Sequence, residues 1–155
     1  MCIRDSFYVI ELSLLESVLL ISLRQPAKRV AETTIHSGTP AWRYYYNATI
    51  PNLQPENYPT LGAFHGADLA MVFGTYPGST ATEQERALST FMQTAWAMFA
   101  KNPTSGPGWK AADDEIACLG CDGSFGVRVI KTSVVDSRCK LYAPLYTATV
   151  PYFRA

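Results

Sequence analysis

Thr82 and Glu85 stand three residues apart, and behind them Leu88, Phe91, Met92, Ala95, Trp96 and Phe99 recur at spacings of three and four. A threonine whose oxygen can accept from the third backbone amide, with a glutamate that reaches back to the first, marks the start of a helix. Apolar residues at that spacing share one face of a 3.6-residue period and demand a second layer to cover them. The pattern predicts a helix from about Glu83 to Lys101, closed by Asn102 and Pro103, with its aromatic stripe packed on a sheet. The stripe reads as core rather than as a cofactor box.

The sheet has candidates on both sides of this helix. Residues 42–50 are aromatic and partly β-branched, bounded by Pro40 and Pro51, and read as a strand. Apolar content on both of its faces suggests a central strand. Residues 116–119 and 126–131 read as two short strands joined around residues 121–124. Upstream, Pro26 suits the first turn of a helix carried by residues 27–36 and stopped by Gly38 and Pro40. His36 falls at that helix end, where the dipole favours a histidine without any catalytic role. Residues 52–60 are a proline- and asparagine-rich loop, residues 104–108 are a linker, and the tail is aromatic and aperiodic.

At 155 residues, 48% hydrophobic and 17% charged, the chain has the composition of one globular domain. Its 13 basic and 13 acidic side chains cancel and are scattered, which excludes the electrostatic footprint of a nucleic-acid or anionic-membrane binder. Met1–Ser6 resembles the translation of a transposon end used in library construction and is set outside the fold as a scar. Residues 7–23 are greasy, but Asp5, Glu11 and Glu16 interrupt or flank the run, and a basic leader and small-residue cleavage site are lacking. Neither a signal peptide nor a membrane span fits. Residues 7–25 are instead a buried or amphipathic helix, or untranslated sequence read through, and the folded part is expected over residues 26–155.

Candidate chemistry is sparse. His65 lies in a loop between Phe64 and Gly66, at the entry to a short apolar segment. Cys118 and Cys121 have the spacing of a redox or zinc half-site, but zinc needs a second pair, and a redox role needs a helix starting at the first cysteine. They read as ordinary buried or loop cysteines; with Cys139, one disulfide is possible and its pairing is left open. No metal or other cofactor is expected. Asn47-Ala48-Thr49 is a glycosylation sequon by pattern, though a strand is a poor acceptor. No Gly-x-Ser-x-Gly nucleophile elbow and no glycine-rich phosphate loop is present in the sequence.

Trp42 to Tyr46, then Gly62 to Leu69 with Val72-Phe73-Gly74, then Leu88-Ser89 through residues 95–103, form a combination in a fixed order. Together they resemble the C-terminal third of a type B carboxylesterase, the family of cholinesterases and fungal lipases, with wording closest to fungal members. Val135 to Cys139 also resembles the fungal tail, so the likeness covers residues 26–146. Gln25 stands where that family has a cysteine before the proline.

The resemblance implies an α/β fold, the C-terminal portion of an α/β-hydrolase with an incomplete sheet and its packing helices. It implies that His65 is the general base of a Ser-Glu/Asp-His triad, that Phe64 and Gly66 set its loop, and that Asp68 supports the loop from the following helix rather than serving as the triad acid. Because the triad order in this fold is serine, acid, histidine, the first two are expected upstream of the chain. The expected substrate of the whole protein is a carboxylic ester or lipid, its location extracellular, and the chain alone is expected to be inactive. The alternative is a fragment of a non-catalytic, cholinesterase-like adhesion or binding protein.

Overall fold

Pro26 sits in the first turn of α1 (Gln25–His36), where its missing N–H removes no helical bond. His36 closes the last turn, its Nδ1–H donating to the Glu32 carbonyl at 2.6 Å. The computed structural model describes residues 2–3, 25–141 and 143–144. The greasy run at residues 7–23 and the tail at residues 145–155 lie outside the described residues.

The sheet is mixed, in the order β1 (Cys2–Ile3), β2 (Tyr44–Tyr46), β3 (Glu115–Leu119) and β4 (Val127–Lys131). Strand β2 runs parallel to β1 and β3, whereas β3 and β4 form an antiparallel hairpin. The two-residue β1 falls within the segment that the sequence reading sets outside the fold. An open strand edge accepts any short extended segment through its backbone, whatever the side chains.

Strand β2 is shorter than the expected residues 42–50. Its ladder registers Tyr44 against Ala117 through Tyr46 against Leu119. Beyond it, Asn47 N–H donates to the Leu119 carbonyl at 2.9 Å, and Ala112 N–H to the Ala41 carbonyl at 2.6 Å. Pro51 then opens a 3₁₀ turn, Pro51–Leu53, and ends the extended run.

Alternation along β2 and β3 sends side chains to two cores, which explains why β2 is apolar on both faces. Tyr46 and Leu119 pack with Ala63, Ala67, Met71, Leu88 and Met92 under two helices. Tyr45, Ile116 and Cys118 face the other way, against Cys121 and Val135. The first core is covered by α2 (Ala67–Phe73) and α3 (Glu83–Lys101). Helix α3 has the bounds and the capping box its sequence dictates: Glu85 N–H donates to Thr82 Oγ1 at 3.1 Å, and Thr82 N–H to Glu85 Oε2 at 3.2 Å. The buried Ser89 hydroxyl donates to the Met71 carbonyl at 2.7 Å and locks the two helices together.

The second core carries a correction. Cys118 and Cys121 are joined as a disulfide, with Cα atoms 5.7 Å apart, rather than lying as ordinary buried or loop cysteines. The chain can double back so tightly because Gly120 takes φ +73 and a Cβ there would meet Ala48. The stretch after β4 is not aperiodic throughout, since α4 (Thr132–Asp136) forms there. The Asp136 carboxylate accepts from both terminal guanidinium nitrogens of Arg43 at 2.8 Å, tying α4 to the residue that precedes β2.

Candidate active site around His65

The turn that carries His65 is built by alternating small and apolar residues. Ala63 and Ala67 are buried, Phe64 is half-buried against the core, and His65 between them is exposed. Two glycines make the geometry possible: Gly62 takes φ +78, and Gly66 takes φ +83 as the residue that opens α2. A left-handed residue immediately after His65 turns the backbone into the helix without bringing a Cβ into it. The Ala67 amide donates to the Phe64 carbonyl and the Leu69 amide to the Gly66 carbonyl, each at 3.0 Å. The Phe64 and Gly66 carbonyls thus accept the backbone hydrogen bonds that close this turn.

His65 projects outward at the start of a line continued by Leu69 and Phe73, four and eight positions on, which are 55% and 71% exposed. Among the described residues no hydrogen bond or ion pair holds the imidazole, and neither a hydroxyl nucleophile nor an orienting carboxylate is brought to it. Asp68 is three residues away but points inward.

Asp68 is buried in the first turn of α2 and accepts a hydrogen bond from the Tyr44 hydroxyl at 2.8 Å. Its charge there is favoured by the helix N-terminus. Burial, the Asp68 charge and the hydrogen bond to it all push the Tyr44 phenol well above the ordinary tyrosine range. Tyr46 is shifted the same way, by burial first and then by the charges of Asp68 and Glu85. The Tyr46 hydroxyl and Glu85 Oε1 are buried with no protein partner among the described residues. Asp68 with Tyr44, and Glu85 with Tyr46, thus form a buried polar group between β2 and the paired helices.

The remaining candidates lie elsewhere. Trp42, Tyr44, Trp96, Phe99, Pro107 and Trp109 line a cavity of about 160 Å³ on the α3 side of the sheet, with Tyr44 and Trp96 edge-on at 5.0 Å between centroids. His36 stays at its helix end, beside a charged cleft. Among the described residues no three His, Cys, Asp or Glu side chains converge as a metal site would require. The contacts by which Tyr44 and Gln54 hold the His65 turn escape the sequence reading. Tyr44 is one aromatic among three in β2, and Gln54 is a single amide in a proline-rich loop, so neither carries a local signal.

Residues 10–116 match the carboxylesterase family. Secreted lipase 5 of Gibberella zeae is 36% identical over 83 residues, 51% of this chain and 15% of that protein. Chlorogenic acid esterase of Aspergillus niger is 38% identical over 68 residues, 43% of this chain and 13% of that protein. The aligned part thus spans about a seventh of each relative, at 15% and 13% of their lengths.

Proposed function

Because the chain belongs to the carboxylesterase family, we propose that it is part of a serine carboxylic-ester hydrolase, an esterase or lipase, in which His65 is the general base. The observation that carries this reading is the presentation of His65: exposed, bracketed by two left-handed glycines and anchored on a buried helix turn. In that role the imidazole takes the serine proton as the hydroxyl attacks the ester carbonyl, then returns it to the departing alcohol. The serine, the acid and the oxyanion-hole amides come from polypeptide outside these residues, since the sequence holds no nucleophile elbow and Asp68 faces away from His65. The substrate is a carboxylic ester or lipid. An extracellular location is supported by the relative named as a secreted lipase and by the Cys118–Cys121 disulfide, which belongs to an oxidising compartment.

Two assays on a chromogenic ester test the proposal. The 155-residue chain alone is expected to hydrolyse it at the uncatalysed rate; hydrolysis abolished by a serine-directed phosphonate would overturn the incomplete-triad reading. In the full-length esterase carrying this segment, His65→Gln is expected to lower kcat by about 10⁴-fold or more. A variant with near wild-type turnover would remove His65 from the mechanism.

A further inference from the structure

The His65 turn is held at both ends by side chains from outside it. At the front, Gln54 uses its whole amide: its Oε1 accepts from the Gly62 N–H at 2.8 Å, and its Nε2 donates to the Gly62 and Ile50 carbonyls at 3.1 Å each. At the back, the Tyr44 hydroxyl donates to Asp68 at 2.8 Å, and the Tyr44 ring is itself fixed edge-on against Trp96. Gly62 and Asp68 are the two points between which His65 projects, three residues from each. We propose that Gln54 and Tyr44 are positioning residues for His65, a two-point clamp that fixes the imidazole's direction without touching it.

The physical case rests on what each bond replaces. Gly62 and Gly66 both take left-handed φ values and therefore have the most freedom to lose. A turn hinged on two glycines will sample many directions unless its ends are pinned, and a catalytic group loses rate steeply when it is misplaced by an ångström. Gln54 satisfies both backbone groups of Gly62, which fixes that peptide in orientation as well as place. Tyr44 fixes the first turn of α2 through a charge-assisted bond between buried groups, the stronger class of hydrogen bond. The catalytic significance of the clamp rests on the general-base reading of His65, but the clamp itself is a property of the loop.

Hydrogen–deuterium exchange of the 155-residue chain, read peptide by peptide in dilute solution, tests it without any assay of catalysis. Tyr44→Phe is expected to speed exchange across residues 64–70 about tenfold, and Gln54→Leu across residues 58–64 by a similar factor. The hairpin at residues 115–131 serves as an internal reference and should hold its rate. Asp68→Asn, which keeps an acceptor for the Tyr44 hydroxyl, should retain most of the protection that Asp68→Ala loses. Unchanged exchange at 64–70 in Tyr44→Phe, equal acceleration of the reference hairpin, or failure of Asp68→Asn to outperform Asp68→Ala would each overturn the clamp. The His65→Gln kinetics fail or succeed independently, so the two ideas can be separated.

Discussion

Tyr44 and Tyr46 point to the same side of β2, two residues apart, and meet opposite fates. The Tyr44 hydroxyl is spoken for by buried Asp68, whereas the Tyr46 hydroxyl has no protein partner among the described residues. Removing one partner of a buried pair strands the other, while removing a lone buried polar atom relieves a desolvation cost. Tyr44→Phe is therefore expected to destabilise the chain by about 2 kcal/mol, and Tyr46→Phe to leave it unchanged or stabilise it by up to about 1 kcal/mol. Urea midpoints of the two variants check the signs; equal losses would refute the distinction. Both phenols are raised above their unfolded value of about 10. A group with a raised folded pKa contributes stability that is fully present below the unfolded value and is lost as pH climbs above it. Stability should therefore hold to about pH 10 and fall beyond it, and in an alkaline titration two tyrosines should ionise only as the protein unfolds. Normal ionisation of all nine tyrosines in the folded chain would contradict this.

Among the elements, α3 is the one whose bounds the sequence states outright, because its start, its stripe and its stop are all local. Its capping box closes both ways through Thr82 and Glu85. Thr82→Ala is expected to lower the unfolding free energy by about 1 kcal/mol, read from the denaturation midpoint, and a Ser replacement should keep most of it. The β3–β4 hairpin was legible for the same reason, since two short apolar runs flank a glycine-containing connection. Strand β2 was less so: Trp42 to Ile50 looks continuous, but its true length is set by where β3 lies beside it, a partner seventy residues away in the chain. The disulfide depended on Gly120 turning Cys121 back over Cys118, a backbone choice that spacing alone does not specify. At the candidate site, His65, Phe64 and Gly66 were visible as a motif and Tyr44 as part of the Trp42–Tyr46 stretch, but the contacts that Gln54 and Tyr44 make with the His65 turn act across the fold and carry no local signal. Asp68 falls in the first turn of α2, and only the structure names its bonding partner.

At the scale of the molecule, one buried ion pair joins pieces that are far apart in sequence. Arg43, immediately before β2, and Asp136 on α4 meet through two hydrogen bonds, with side chains 10% and 8% exposed. Such a pair contributes little over an apolar replacement, but breaking it leaves a buried charge. Asp136→Ala is expected to cost about 3 kcal/mol, and the double variant Arg43→Met with Asp136→Leu should recover much of that loss. A single-variant cost below about 0.5 kcal/mol in urea unfolding would mean that water solvates the pair.

The parallel register of β2 on β3 has a temporal side. Tyr44 pairs with Ala117, 73 positions later in the chain (117 minus 44). At about 5 to 20 residues per second, three tyrosines leave the ribosome about 4 to 15 s before their partner strand is made. Helices α2 and α3 are complete well within that interval and are linked only by a short loop, so they can dock on each other first. Pulse-labelled exchange during refolding should find their amides protected ahead of those of β2, and the opposite order would refute the sequence of events. In such a chain the aromatic strand is made well before the β3 strand it pairs with and is secured only when that strand arrives, and its exposure in the meantime is a natural opening for a chaperone.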